Sequence, residues 1–150
     1  MKISIITPTI GNPLLKECIE SVRSQTYTDV EHIVVVDGRE RLETSQPIID
    51  ACKFGSKPNE HLLVLPYPTG TDRYNGHRVY GACTYIADGD YHVWLDDDNI
   101  LEPNHIESLV NLVKEKDLHW AFSLRKIIDK DSNVICEDNC ESLGLWPSIM

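Results

Sequence analysis

The chain has 150 residues, of which 41% are hydrophobic and 25% are charged, a composition typical of one globular domain with a single packed core. No stretch is apolar for long enough to cross a bilayer, and the N-terminus lacks a signal-peptide pattern, so the sequence predicts a cytoplasmic protein. The formal net charge of -10 disfavours nucleic acid as a partner, because nucleic-acid binding requires clustered Lys and Arg side chains. The same charge is compatible with a phosphorylated small molecule, since a cation held by carboxylates reverses the local field.

Short apolar runs alternate with helical patterns through the first half of the chain. Residues 3–7 form a run rich in β-branched side chains, which predicts a buried strand, and a helix over residues 12–22 follows it. Residues 30–36 predict a second strand, and weaker patterns predict a helix at 40–53 and a strand at 62–65.

The second half continues the alternation for about fifty residues. An apolar stripe at helical spacing covers residues 79–87, and a fourth strand is predicted at 91–95. Pro103 predicts the start of another helix, and residues 119–124 predict a fifth strand. Residues 129–133 predict a hairpin turn, and no clear period follows them.

This order of elements predicts an α/β fold with a mainly parallel sheet flanked by helices on both faces. Right-handed crossovers bring the carboxyl ends of parallel strands to one edge of the sheet, which is where such sheets bind ligands. We therefore expect the loops after residues 7, 36 and 95 to converge on one crevice.

Three consecutive carboxylates, Asp96, Asp97 and Asp98, follow the fourth predicted strand directly. In an extended backbone Asp96 and Asp98 point to one side and Asp97 to the other. Neighbouring like charges repel, and a divalent cation compensates them; oxygen ligands favour Mg²⁺ or Mn²⁺. The alternative interpretation is a solvated acidic turn before the next helix. The position immediately after a buried strand favours the metal.

Asp37 ends the second predicted strand at the same edge of the sheet. Its carboxylate can accept a hydrogen bond from a base or a ribose, and the alternative is an ordinary turn residue before Gly38. The chain has neither the glycine fingerprint of dinucleotide-binding folds nor a phosphate-binding P-loop motif. A dinucleotide cofactor is therefore disfavoured.

Several segments together resemble the nucleotide-binding half of family 2 glycosyltransferases, which have a GT-A fold of Rossmann-like type. The resemblance runs from the first strand to about Leu112 in the same order. The segments that carry it are residues 3–9 (ISIITPT), 18–27 (CIESVRSQTY), 31–37 (EHIVVVD), 87–91 (ADGDY) and 95–99 (LDDDN).

The resemblance implies which residues bind the nucleoside. Thr7, Pro8 and Thr9 would line the base pocket, Asp37 would contact the base, and Asp97 would lie nearest the ribose.

The resemblance also implies a diphosphate site. Asp96 and Asp98 would hold a Mn²⁺ or Mg²⁺ ion bound to the diphosphate, with Asp96 completing the D-x-D pattern. Arg78 occupies a position near the family's upstream Arg-Asn pair, without the Asn, and would touch the diphosphate. Arg73 is an alternative for that contact.

The implied reaction transfers a sugar from a nucleoside diphosphate sugar, with a UDP-sugar favoured, to a hydroxyl of a sugar, lipid or protein acceptor. An inverting reaction, usual in this family, also needs a general base. Asp138 is the candidate, although it comes early in the chain. The alternative is a non-catalytic module that binds a nucleotide sugar or a partner and lacks the base. A nucleotidyltransferase and a phosphoacceptor receiver fit less well, because the loop after the first strand lacks their glycines and acidic pair.

The resemblance divides the chain into a donor-binding core, residues 1–112, and the start of an acceptor half, residues 113–150. The last eight residues are mostly apolar, so we expect a chain that is truncated where more sheet should follow. Apolar side chains such as Leu145 and Trp146 would then lack their cover, which favours a homo-oligomer.

Overall fold

A computed structural model describes residues 1–69, 76–129, 131 and 133–138. The chain divides into two units, residues 1–107 and 108–150. The helices and strands in chain order are β1 (Ile3–Thr9), α1 (Leu15–Arg23), β2 (Val30–Val36), a 3₁₀ turn (Arg39–Arg41), α2 (Leu42–Cys52), β3 (Glu60–Val64), α3 (His77–Cys83), β4 (Tyr91–Trp94), α4 (His105–Lys116), β5 (Arg125–Ile128) and β6 (Val134–Asp138).

The first unit contains a four-stranded sheet in the order β3-β2-β1-β4, in which every neighbouring pair is parallel. The pairing of β1 with β2 runs from Ile3 opposite Val30 to Thr9 opposite Val36, so both central strands end at the same level. Parallel strands require crossover connections, and the helices supply them. The predicted α/β fold with a parallel sheet is confirmed.

Both faces of the sheet are covered, because successive side chains of a strand point to opposite faces and both sets are apolar in the centre of the sheet. Val34 and Val36 of β2 pack on one face with side chains of α1 and α2, including Leu15 and Ile49. The neighbouring positions Ile33 and Val35 lie on the opposite face. There they pack with three residues of α3, namely Val79, Tyr80 and Cys83. Buried strands with apolar residues at successive positions are typical of a sheet covered on both faces.

Two buried carboxylates, each paired with a partly exposed cation, lie at the amino edge of the sheet, opposite the strand ends that carry the aspartates. Arg23 at the end of α1 donates two hydrogen bonds to Glu60 at the start of β3, at 2.7 and 3.1 Å. Glu31 is 3% exposed and lies 3.3 Å from the ammonium of Lys2. The first contact ties α1 to β3, and the second ties the residue before β1 to β2.

Two sequence predictions of secondary structure are wrong. The helix predicted over residues 79–87 ends at Cys83, and Ile86 is 59% exposed rather than part of a buried stripe. Residues 119–124 form no strand, because the antiparallel pairing that defines β5 begins at Arg125. Trp120 and Phe122 in that segment are exposed and stacked on each other, with ring centroids 5.9 Å apart.

The second unit contains an antiparallel hairpin of β5 and β6. The predicted turn is confirmed: the main-chain N–H of Asp129 donates to the carbonyl of Asn133 at 2.9 Å. Residues 139–150, with the apolar side chains expected to favour self-association, lie outside the described residues. Within the described part of the chain, no helix combines the length and the apolar character that spanning a membrane requires.

Candidate functional site

The loops that follow β1, β2 and β4 meet at the carboxyl edge of the sheet. The main-chain N–H of Asp37, directly after β2, donates to the carbonyl of Thr9 at the end of β1, at 2.9 Å. The hydroxyl of Thr9 donates to the carboxylate of Asp97, which follows β4. The predicted convergence of these three loops is confirmed.

Asp97 points toward the loop between β1 and α1. Its carboxylate accepts hydrogen bonds from the Thr9 hydroxyl and from the main-chain N–H groups of Asn12 and Ile10. Burial raises the pKa of Asp97, the neighbouring charge of Asp98 raises it further, and the three hydrogen bonds oppose the rise. Within the described part of the chain, the buried oxygen Oδ2 has no hydrogen-bond partner. An ionised carboxylate with an unmatched buried oxygen is costly, so a donor or cation at this point would stabilise it.

Asp96 points the other way, toward α3. The hydroxyl of Tyr80 donates to its Oδ1 at 2.5 Å. The Tyr80 ring is buried and lies beside the ring of Trp94, with centroids 5.7 Å apart. Burial and the hydrogen bond to Asp96 raise the pKa of the Tyr80 hydroxyl, so it stays protonated and remains a donor.

Asp96 and Asp97 therefore point to opposite sides, although the backbone is not extended there: the chain turns at Asp97 and Asp98, and the main-chain N–H of Asn99 donates to the carbonyl of Asp96 at 3.1 Å. Asp96 and Asp98 are exposed, whereas Asp97 is half-buried. The carboxylates are hard oxygen ligands of the kind that Mg²⁺ and Mn²⁺ prefer. Among the residues that the structure describes, no three His, Cys, Asp or Glu side chains are grouped so that they could hold a metal ion by themselves.

Asp37 is 8% exposed and its carboxylate faces the loop after β3. The main-chain N–H of Thr69 donates to Oδ1 at 2.7 Å, and the Thr69 hydroxyl donates to Oδ2 at 3.1 Å. Arg78 at the start of α3 donates to the carbonyl of the same Thr69 at 2.6 Å. One loop residue thus brings together the two side chains that the sequence assigns to the base and the diphosphate.

The side chain of Thr7 lies in the interior rather than at the crevice. It is fully buried, and its hydroxyl lies 3.0 Å from Nε2 of His32 and 3.9 Å from Sγ of Cys18. The burial of the Thr7 side chain disfavours direct contact with a base. That contact stays a prediction. Pro8 is also buried, beside Gly76, where a Cβ atom would lie 2.5 Å from the proline ring. Thr9 is the member of the trio whose hydroxyl reaches the aspartates.

The candidate base, Asp138, is in the second unit at the end of β6. Its Oδ2 atom accepts two hydrogen bonds from the guanidinium of Arg125, one of them at 3.1 Å. Arg73, the alternative diphosphate ligand, lies outside the described residues.

Sequence reasoning missed Thr69 and Tyr80. Tyr80 adjoins Val79 in a stripe of apolar side chains at helical spacing, and its hydroxyl was a signal, since a buried tyrosine needs a hydrogen-bond partner. Thr69 lies in a loop rich in Pro, Gly and Thr, and no periodic pattern distinguishes it from its neighbours.

Known proteins resemble the chain in sequence. The model of the family described as Glycosyl transferase family 2 matches residues 4–136. Glycosyltransferase GlyG of Streptococcus pneumoniae is 31% identical over 116 residues, which cover 77% of this chain and 36% of GlyG. Succinoglycan biosynthesis protein ExoW of Rhizobium meliloti is 26% identical over 125 residues, which cover 80% of this chain and 37% of ExoW. The chain thus spans a little more than a third of the length of these two relatives.

Solved structures resemble the chain in fold. S. aureus TarS 1-349 in complex with UDP has a TM-score of 0.65 and 17% identity, and the match covers 89% of this chain and 43% of that one. The same protein in complex with UDP-GlcNAc has a TM-score of 0.64 and 18% identity, with 87% and 39% covered. At these identities the likeness shows the fold, and it agrees with the predicted GT-A type.

Proposed function

Since the chain belongs to glycosyl transferase family 2, we propose that it binds a nucleoside diphosphate sugar at the carboxyl edge of its sheet and transfers the sugar to an acceptor hydroxyl with inversion. The observation that carries this proposal is the position of the three aspartates beside Thr9 and Asp37, with one buried oxygen of Asp97 unmatched. The UDP and UDP-GlcNAc complexes of TarS support a uridine nucleotide as the donor.

The residues fit a divalent cation of the kind that the resemblance implies. A cation shared with a diphosphate takes one or two carboxylates from the protein and its other ligands from phosphate and water, so a cage of three protein ligands is not required. Asp98 and Asp96 would hold Mn²⁺ or Mg²⁺. When bound, the ion supplies positive charge that stabilises the leaving diphosphate.

The chain's own residues would bind and orient the donor. Asp37 accepts a hydrogen bond from the base in place of one that it accepts from Thr69. Asp97, which is hydrogen-bonded to the loop after β1, contacts the ribose. The guanidinium of Arg78 donates to the Thr69 carbonyl at 2.6 Å. When it exchanges this contact for one with the diphosphate, its positive charge offsets the negative charge of the diphosphate. Fixed groups of this kind reduce the conformational entropy lost on binding.

A second candidate function is a non-catalytic module that binds the same donor. The observation in its favour is that Asp138, the candidate base, is engaged by Arg125 on the hairpin. Transfer requires a base that can accept the acceptor's proton, whereas binding does not. The acceptor, the base, a homo-oligomer and the division into donor and acceptor parts remain proposals.

The test is a thermal shift measurement with UDP-, GDP- and dTDP-sugars, each with and without Mn²⁺. A ligand specific to the folded state raises the midpoint by roughly 5 to 10 °C at about 100 times its Kd. We expect a UDP-sugar to give this shift with Mn²⁺ and a much smaller one without it. Asp98→Asn should lose the Mn²⁺-dependent part of the shift. The matched control is Asp29→Asn, which makes the same change just before β2, at the opposite edge of the sheet.

Release of UDP from the donor, with and without candidate acceptors, separates the two functions. Turnover supports the transferase and eliminates the binding module. Binding without turnover supports the module. A shift that does not depend on Mn²⁺, or no shift with any donor, contradicts the proposed site.

A further inference from the structure

We propose that Tyr80 is a positioning residue for the donor, because its hydroxyl fixes the direction of the Asp96 carboxylate. This inference rests on the proposed function, since it concerns the same edge of the sheet. The hydroxyl donates to Oδ1 of Asp96 at 2.5 Å and leaves the second oxygen of that carboxylate for a ligand.

The two partners differ in how firmly the fold holds them. The Tyr80 ring is 6% exposed and belongs to the core cluster that contains Ile6 and Val35. The Trp94 ring lies beside it at 5.7 Å, tilted by 33°. Asp96, in contrast, has an exposed side chain. The core therefore sets the position of the hydroxyl, and the hydroxyl sets the rotamer of the carboxylate.

Packing alone does not account for a tyrosine at this position. The ring packs in the core cluster with Ile6 and Val35 and beside Trp94, and a phenylalanine would bury the same ring without a polar atom to satisfy. What the hydroxyl adds is a hydrogen bond to a charged group, which is stronger than one between neutral groups. The Tyr80 hydroxyl also offsets part of the repulsion between Asp96 and its neighbours Asp97 and Asp98.

The consequence for binding is preorganisation. Without the hydroxyl, the exposed Asp96 side chain samples several rotamers, and a ligand must select the productive one. With it, the oxygen that faces away from Tyr80 is already directed, so less conformational freedom is lost when a donor or cation binds.

The test measures UDP binding by calorimetry in the presence of Mn²⁺, for the wild type and for Tyr80→Phe. We expect the Kd for UDP to rise about fivefold to twentyfold in Tyr80→Phe. The matched control is Tyr27→Phe, which also removes a hydroxyl that donates at 2.5 Å, here to the carbonyl of Met1. Tyr27→Phe should leave the Kd unchanged. The melting temperature of each variant without ligand shows how much stability each hydroxyl contributes.

Asp96→Asn completes a double-mutant cycle for UDP binding. If Tyr80 acts through Asp96, adding Tyr80→Phe to Asp96→Asn raises the Kd by much less than it does in the wild type. If Tyr80→Phe raises the Kd by the same factor in Asp96→Asn as in the wild type, the inference is overturned. It is also overturned if Tyr80→Phe melts at a lower temperature but binds UDP with the wild-type Kd. Where Asp96→Asn binds too weakly to fit, the comparison of Tyr80→Phe with Tyr27→Phe decides. A wild type that binds no UDP with Mn²⁺ defeats the proposed function and this inference together, whereas equal binding by wild type and Tyr80→Phe defeats the inference alone.

Discussion

Thr69 donates to both carboxylate oxygens of Asp37, through its main-chain N–H at 2.7 Å and through its hydroxyl at 3.1 Å. Asp37 is 8% exposed, so these bonds satisfy a carboxylate that water reaches poorly. A base that binds Asp37 needs the same oxygens. We therefore expect a nucleotide that binds Asp37 to compete with Thr69 for these oxygens.

Replacing Thr69 with Val should strengthen nucleotide binding. Val keeps the shape of the side chain and the main-chain donor but removes the hydroxyl bond to Asp37. A hydrogen bond of this kind contributes about 0.5 to 1.5 kcal/mol, so the Kd for UDP should fall about twofold to tenfold. Calorimetric titration with UDP and Mn²⁺ measures the change.

Thr26→Val is the control for that experiment, because the Thr26 hydroxyl also donates to a carboxylate, Glu107, at 2.7 Å. It should leave UDP binding unchanged. A Thr69→Val variant that binds UDP more weakly than the wild type would show that the hydroxyl contacts the ligand instead of competing with it.

The sheet was predictable because its strands are short, apolar and separated by helical patterns. Val30–Val36 was predicted with its observed bounds, since Asp29 before it and Asp37 after it interrupt the apolar run. The strand predicted at residues 119–124 is wrong, because the alternating apolar side chains there are exposed and no strand among the residues that the structure describes pairs with them. A strand forms only where another strand pairs with it, and a local sequence pattern does not show whether such a partner is present.

The candidate site was predictable only in part. The sequence placed Asp37 and the three aspartates at one edge, because parallel strands share a direction. It did not predict that Thr69 satisfies Asp37 or that Tyr80 holds Asp96, since both depend on which loop or helix crosses the strand ends. Its assignment of Thr7 to the base pocket stays a prediction, and the hydroxyl of that residue lies beside His32 in the interior.

Replacing Asp97 with Asn should separate stability from binding. Burial raises the pKa of Asp97, so its contribution to stability is largest below the unfolded pKa, near 3.8, and is lost as the pH rises through the folded value. At neutral pH the ionised side chain therefore costs stability, which Asn removes while keeping one oxygen as an acceptor. We expect Asp97→Asn to have a higher free energy of unfolding than the wild type, with a larger difference at pH 8 than at pH 4. We also expect its Kd for UDP to be about tenfold higher.

Urea unfolding at the two pH values measures the first effect, and calorimetry measures the second. Asp29→Asn, at an exposed position, should show neither this pH-dependent gain in the free energy of unfolding nor the rise in the Kd for UDP. An Asp97→Asn variant that is destabilised most at pH 8 would show that the ionised carboxylate stabilises the loop between β1 and α1, contrary to the expectation.

His32 should make the protein sensitive to mild acid. Its ring is 2% exposed, packs edge-on against Phe54 and lies 3.0 Å from the Thr7 hydroxyl. Burial lowers the pKa of His32 from 6.5 to about 3. Since the folded value lies below the unfolded one, the stability that depends on neutral His32 is complete above pH 6.5 and is lost as the pH falls toward 3. At pH 5 the loss amounts to about 2 kcal/mol, because the unfolded chain binds a proton that the folded chain excludes.

Replacing His32 with Gln tests this account, because Gln keeps a polar partner for Thr7 but does not titrate. The variant should be less stable than the wild type at pH 7.5, since the edge contact with Phe54 is lost, but its free energy of unfolding should fall about 2 kcal/mol less between pH 7.5 and pH 5. His61→Gln, at a side chain that is 48% exposed, should keep the wild-type pH dependence. If His32→Gln and the wild type lose the same free energy over this range, His32 must accept a proton without unfolding. Water would then have to reach the ring through the cavity that His32 lines with Asn59 and Glu60.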